Sequence, residues 1–329
     1  MTTPTSPTFR IRTEADVLAL VPYTLGFHPV DSLVLVTIDE QKRPFQARID
    51  LPDDLDELPV IAEHLAFAAL RNGAERALVI AYTDDECLGQ AAAAALEEVL
   101  ERSGVPTVMT IRADGSRWFP LGDAAGEGDP DGQPYDVRGH ELSSRAVLDG
   151  KVTFRDRAEL ADSLAALDPE TVEEVEAAHE ALQSVPPGQE LLLESLWLME
   201  QVRNHVAEPK VPDASTTARL LRDLAHRDVR DLVWCDITRS NAPAHVTLWR
   251  EVVRRSPERL VAWAPAAGLL AFASWLAGDG ALAWCAVDRC LCADPDHVLG
   301  QLVGEALTSA LPPTQWRPID PGALGLFAG

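Results

Sequence analysis

Apolar positions in the first 120 residues follow two different periods. Five segments have the apolar runs or the period-two alternation typical of strands: residues 32–39, 45–51, 76–82, 107–111 and 117–121. Between them, apolar residues recur at helical spacing over 58–72 and 89–102, which predicts two helices. This order predicts parallel crossovers flanked by antiparallel hairpins, so the first half is predicted to be an α/β domain with a mixed sheet and flanking helices.

A short helix is predicted before the first strand. Thr13 and Asp16 have the spacing of a capping box, and the apolar residues that follow give this helix one buried face. Proline removes a backbone donor, so the helix is expected to end near Pro22.

The pattern changes after residue 121. An acidic loop rich in Gly and Pro fills residues 122–134, and helical periodicity then continues almost to the end of the chain. We therefore predict an α/β domain over residues 1–139, which includes this loop, and an all-α domain over 140–329.

The last helices have a repeat-like arrangement over residues 262–311. Helical segments at 265–277 and 281–292 flank a Gly-Asp-Gly turn, and Asp294 followed by Pro295 is predicted to be the N-cap and first residue of the next helix. The order and the length of about 34 residues indicate one tetratricopeptide-like unit. A long solenoid is not expected, since such arrays need about three repeats.

Charge and composition restrict the partners. The 329 residues include 28 Lys and Arg against 52 Asp and Glu, so the net charge is −24. Such a surface repels phosphate backbones and anionic lipids, so neither nucleic acid nor membrane is an expected partner. Residues 1–8 lack the charged and apolar regions of a signal peptide, and no apolar run reaches membrane-spanning length, which predicts a cytoplasmic protein. The five cysteines are expected to be reduced.

The turn before the first strand contains three residue types of a hydrolase triad, namely His28, Asp31 and Ser32. A hydrolase serine follows a strand, whereas Ser32 precedes one, so the topology does not fit. The favoured interpretation is a structural turn in which Gly26 takes an unusual backbone angle and the Asp31 side chain accepts backbone N–H bonds. The alternative is a site that faces a ligand.

Further candidates carry charge. Asp84 and Asp85 follow the strand at 76–82, where with Glu86 they could hold Mg²⁺. In the favoured interpretation they are acids at a helix N-terminus that complement the helix dipole. Neither a glycine-rich phosphate loop nor metal-ligand spacing is present, so no cofactor and no metal are predicted. Four arginines could form a face that binds a partner, although intramolecular ion pairs are the commoner outcome: Arg219, Arg222, Arg250 and Arg254.

Several phrases of the sequence resemble one family. These are PYTLGFHPVDS at 22–32, RIDLP at 48–52, RDVRDL at 227–232 and GDGALA at 278–283. Together they resemble the actinobacterial domain-of-unknown-function family DUF4192 over nearly the whole chain. The resemblance implies no catalytic residue. Relatives often have cysteines after the strand at 117–121, and residues 123–134 contain none.

Two functional hypotheses follow. The first is a non-enzymatic interaction or regulatory protein whose helical half binds a protein partner. The second is an enzyme or small-ligand sensor with a site at the strand edge near His28, Asp31 and Asp84. Because no nucleophile has a base in reach, the first is favoured, and a deep pocket with converging polar groups would favour the second.

Overall fold

A computed structural model describes residues 11–38, 44–122, 129–148, 152–186, 188–257 and 261–324. It has an α/β part with a mixed sheet, followed by a helical part, as predicted. The chain divides into two compact units, Met1–Arg157 and Ala158–Gly329. The predicted domain boundary, after residue 139, lies earlier in the chain than the division after Arg157. That the two parts fold independently stays a prediction.

Unit 1 is built on a six-stranded sheet in the order β2-β1-β3-β4-β5-β6. Its strands are β1 Ser32–Ile38, β2 Gln46–Asp50, β3 Arg76–Tyr82, β4 Thr107–Ala113, β5 Arg117–Pro120 and β6 Gln133–Pro134. β3 and β4 pair in parallel, and the other neighbouring strands are antiparallel. The two predicted hairpins are confirmed, and β6 lies at the end of the predicted loop, of which residues 123–128 are outside the described ranges.

Helices cover both faces of this sheet. They are α1 Glu14–Leu25, α2 Leu58–Arg71, α3 Glu86–Arg102 and α4 Glu141–Leu148. α2 and α3 bury their apolar faces against one side of the sheet, and α1 and α4 against the other. Successive strand residues point to opposite faces, so the continuous apolar strands β1 and β3 can fill both cores at once.

Strand register brings several chain segments to one edge of the sheet. Ser32 at the start of β1 lies opposite Tyr82 at the end of β3, and Tyr82 lies beside Ala113 at the end of β4. The turn that precedes β1 and the loops that follow β3 and β4 therefore meet at the same edge. This is the edge where open α/β sheets usually carry their sites.

The regular secondary structure in the described residues of unit 2 is helical, and loops join the helices. Its helices are α5 Arg157–Asp162, α6 Pro169–Glu180, α7 Gln189–Ala207, α8 Ala214–Leu224, α9 Arg227–Asp236, α10 Ala242–Arg255, α11 Ala264–Ala277, α12 Gly280–Ala293 and α13 Val298–Thr308. α11 is buried over nearly its whole length because it is apolar all round, and α10, α12 and α13 pack against it. One end of α11 belongs to a cluster of aromatic rings formed by Trp234, Phe272, Trp275 and Trp316.

The predicted end of α1 is wrong. The capping box at Thr13 is present, but the helix continues through Pro22 to Leu25, and Gly26 ends it with φ +78°. Proline removes only the hydrogen bond to the Leu18 carbonyl, which costs about 3 kcal/mol in a helix interior. Burial of the apolar face of α1 against the sheet offsets that loss.

The predicted cap of α13 is also wrong. Asp294 ends α12, and its N–H donates to the Cys290 carbonyl. The N-cap of α13 is His297, whose Nδ1 accepts from the Gly300 N–H at 3.2 Å. The helix pair α11 and α12 is present and α13 follows it, while the tetratricopeptide-like character of residues 262–311 stays a prediction. Within the described ranges, no helix is both long and apolar enough to cross a bilayer.

Candidate functional site

The turn at residues 26–32 is fixed by backbone bonds to a segment far along the chain. Phe27 is buried and pairs in parallel with Phe154. The His28 N–H donates to the Phe154 carbonyl at 3.1 Å, and the Phe154 N–H donates to the Gly26 carbonyl at 2.7 Å. The positive φ of Gly26, which the sequence predicted, lets the chain leave α1 in this direction.

Arg48 holds the other side of the turn. From β2, its Nε donates to Ser32 Oγ at 2.9 Å, and its Nη2 donates to Asp50 Oδ1 at 2.5 Å. Its guanidinium also lies 5.7 Å from the centre of the Phe27 ring. Ser32 Oγ donates in turn to the Val30 carbonyl at 2.5 Å. The Ser32 hydroxyl proton is therefore engaged with a carbonyl and not with the His28 ring.

The predicted cap by the Asp31 side chain is wrong for the part of the chain that the structure describes, because its carboxylate accepts no bond from a described backbone N–H. It is exposed with φ +43°, a left-handed conformation that Asp tolerates better than most residues. Its backbone carbonyl accepts from the Leu51 N–H at 2.8 Å. The contribution of Asp31 to the turn is thus the backbone shape, and its carboxylate faces solvent.

His28 lines a cavity of about 360 Å³ within unit 1. The cavity is lined by Ala19, Pro22, Tyr23, His28, Val137, Arg138, Ser143, Ser144, Ala146 and Thr153. The first three lie on one face of α1, since they are three or four residues apart. Burial lowers the pKa of the His28 imidazole, which favours its neutral form at physiological pH.

The polar groups of this wall fall into two sets. Ser143 Oγ already donates to the Val137 carbonyl at 2.5 Å, and Arg138 pairs with Asp136 through two bonds of 3.0 and 3.1 Å. The His28 ring and the hydroxyls of Ser144 and Thr153 make no hydrogen bond to any described residue. This wall suits ligand binding better than nucleophilic catalysis, because none of the described residues pairs a nucleophile with a base here.

Asp84 and Asp85 lie at the same sheet edge but do not line the cavity. Asp85 is the N-cap of α3, and its carboxylate accepts from the Leu88 N–H at 2.9 Å, so this acid lies at the helix N-terminus as the favoured interpretation expected. Asp84 is exposed. Across the described part of the chain, no group of three or more His, Cys, Asp or Glu side chains is arranged to hold a metal.

The four candidate arginines fall into two pairs on different helices. On α8, Arg219 and Arg222 both bond to Glu194, at 2.8 and 2.6 Å, and Arg222 also bonds to the buried Asp223. On α10, Arg254 bonds to Glu251 at 3.3 Å, and burial lowers the pKa of Arg250. Intramolecular pairs therefore occupy Arg219, Arg222 and Arg254.

An exposed apolar surface on α7 was not among the sites predicted from the sequence. We define the α7 leucine patch as Leu192, Leu193 and Leu196, which are 44%, 58% and 59% exposed. The signal was the run of three leucines at 191–193, because an amphipathic helix that buries Leu191 must turn the next two residues away from that face. Trp197 follows the patch along α7, and the Arg219 guanidinium lies 3.6 Å from its ring centre.

A family model described as a domain of unknown function (DUF4192) matches residues 15–314. No curated protein and no solved structure matches the chain.

Proposed function

The chain belongs to the DUF4192 family of domains of unknown function, and from that premise we propose that it is a non-enzymatic interaction or regulatory protein. Its helical unit binds a protein partner, and the α7 leucine patch is the central contact. The proposal includes a cytoplasmic location, an actinobacterial source, and a tetratricopeptide-like role for α11–α13 in supporting the binding helices.

The α7 leucine patch is the observation that carries this proposal. Leu192 and Leu196 are one helical turn apart, and Leu193 lies beside both, so the three side chains form one continuous surface. Single exposed apolar residues are ordinary, but a contiguous group on one helix face costs solvation unless something covers it. A protein partner that buries these side chains would recover that free energy.

Charge around the patch selects the kind of partner. Glu190 and Glu200 are exposed on α7 at either end of the patch, and the whole chain carries a charge of −24. An amphipathic helix with apolar anchors and flanking Lys or Arg residues fits both features. Arg219 and Arg222 support the surface from α8 through Glu194, which orders the neighbouring side of α7.

Affinity capture with purified variants tests the proposal. The full chain, the double variant L193S/L196S and the control V298S/L302S are immobilised and exposed to extract of the source cells. The control removes two exposed apolar residues from α13, Val298 at 54% and Leu302 at 46% exposure. We expect a protein that the wild type and the control retain, that the α7 variant loses, and that binds again when both components are purified.

Two outcomes would count against this assignment. If the α7 variant retains the same proteins as the wild type, the patch is not the binding surface. If the wild type forms a dimer in sedimentation and the α7 variant does not, the patch is an interface between two copies of the chain. Folding of each variant is checked first by its thermal unfolding midpoint.

The alternative, an enzyme or small-ligand sensor at the strand edge, has support only at His28. Of the three residues that defined it, His28 lines the cavity of unit 1, whereas Asp31 and Asp84 do not. The cavity therefore supports a binding role for this edge and gives no support for catalysis.

A further inference from the structure

We infer that the cavity lined by His28 binds a small organic anion with an apolar, preferably aromatic, body. This inference deepens the sensor alternative above and is independent of partner binding by the helical unit. It assigns to unit 1 a ligand site built from α1, α4 and the turn at 26–32.

The cavity presents hydrogen-bonding groups that a ligand can reach, because Ser144 is exposed and His28 and Thr153 are half-buried. The His28 ring and the hydroxyls of Ser144 and Thr153 all line it, and none of them bonds to a described residue. These groups come from three separate segments of the chain. Accessible polar groups that converge on one concave, largely apolar wall are typical of a ligand site.

The remaining wall determines the shape of the ligand. Ala19, Pro22, Val137 and Ala146 supply apolar surface, and Tyr23 supplies a ring on the same face of α1. A cavity of about 360 Å³ is at the small end of the range for ligand pockets. These features suit a molecule with one flat apolar part and one polar end.

The charges of the cavity wall indicate the charge of the ligand's polar end. Its described residues include Arg138 and the potential donors His28, Ser144 and Thr153 but no Asp or Glu, although the chain has 52 acidic residues and only 28 basic ones. Arg138 presently pairs with Asp136, and both side chains are well exposed, so little free energy holds that pair together. A carboxylate in the cavity could replace Asp136 and accept from the hydroxyls at the same time.

The test compares two probes of equal shape. 2-Naphthoate is an anion with an aromatic body, and 2-naphthamide is its neutral analogue. Binding to the full chain is followed by the fluorescence anisotropy of each probe. We expect saturable binding of the naphthoate, and binding of the amide weaker by about tenfold, as expected when a charged hydrogen bond is lost.

Three variants locate the binding. H28A and R138Q should each weaken naphthoate binding by about fivefold to tenfold. R102Q removes an exposed arginine of α3, on the other face of the sheet, and should leave binding unchanged. L193S/L196S should also leave it unchanged, since the α7 leucine patch is not part of this cavity.

Each contrary result has a distinct meaning. Equal binding of both probes, lost in H28A, would keep the ligand site and overturn the anionic class. Failure of both probes to bind at millimolar concentration would overturn the sensor alternative itself. Loss of binding in L193S/L196S, or equal losses in R138Q and R102Q, would place the naphthoate outside the cavity and also overturn the inference.

Discussion

Arg48 Nε donates a hydrogen bond to Ser32 Oγ at 2.9 Å, and this bond ties β2 to the turn that leads into β1. The two residues belong to two phrases by which the sequence resembles its family, at 22–32 and 48–52. The contact gives those phrases a shared physical role. Arg48 satisfies Ser32 and covers the buried Phe27, so the turn is held rigid at the sheet edge.

Arg48→Met should lower the free energy of unfolding by about 2 kcal/mol, because it keeps the aliphatic stem but removes charged hydrogen bonds to Ser32 and Asp50. Urea unfolding of the full chain measures this. Arg102→Met is the matched control, since Arg102 is exposed and its ion pair with Glu98 is 3.9 Å long, so the change should stay under about 0.5 kcal/mol. Equal effects of the two variants would contradict the structural role of Arg48.

Substitutions at Asp31 should have opposite effects according to their tolerance of a positive φ. Asp31→Gly is expected to leave stability unchanged or raise it by up to about 1 kcal/mol, because glycine adopts φ +43° freely. Asp31→Ala should lower stability by about 1 kcal/mol, since alanine adopts a left-handed backbone less readily than Asp. Thermal unfolding distinguishes them. A loss in both variants would show instead that the carboxylate itself stabilises the turn.

The strands were predictable from sequence because their signals are local. β3 begins and ends at the predicted residues, the ends of β1, β2 and β5 differ from prediction by one residue, and β4 continues two residues further than predicted. Pro22 and Asp294 misled the prediction for different reasons. At Pro22, the packing of α1 on the sheet outweighs the local signal. At Asp294, a second local cap prevails, because His297 Nδ1 accepts from the Gly300 N–H and starts α13 further along the chain.

The candidate site was only partly predictable. His28 was a candidate because it is a histidine in a turn beside a strand. The cavity that it lines is completed by α4 and Thr153, which lie more than a hundred positions further along the chain. Arg48 was not recognised because a single arginine in an alternating strand usually faces solvent. Pairing of β1 with β2 brings Arg48 to Ser32, and no local pattern reports that contact.

The five cysteines should differ sharply in reactivity. Cys87 and Cys292 are exposed, whereas Cys235, Cys285 and Cys290 are buried. Burial also raises the pKa of Cys290 to about 12, so almost no thiolate is present there at pH 8. Iodoacetamide should add two groups to the folded chain and five to the chain in guanidinium, as measured by intact mass. A third addition as fast as the first two would contradict the packing around α12.

Asp223 should make the stability of unit 2 depend on pH in the direction opposite to that of most carboxylates. Burial raises its pKa from 3.8 to about 6, although Arg222 bonds to it and opposes the shift. Between pH 4 and pH 6 the folded chain therefore keeps a proton that the unfolded chain has released. Stability contributed by this group is present at pH 4 and is lost as the pH rises through about 6.

The variant Asp223→Asn isolates this effect, because the amide keeps the shape and can still accept from Arg222 without a charge. We expect the stability of the wild type relative to D223N to fall by about 1–2 kcal/mol from pH 4 to pH 7 and then to stay constant. Urea unfolding at four pH values measures it. Asp168→Asn is the control, because bonds from Thr171 lower the pKa of Asp168. The stability of the wild type relative to D168N should therefore not fall between pH 4 and pH 7. If the stability of the wild type relative to D223N stays constant or rises with pH, Asp223 is ionised over the whole range because Arg222 stabilises its charged form.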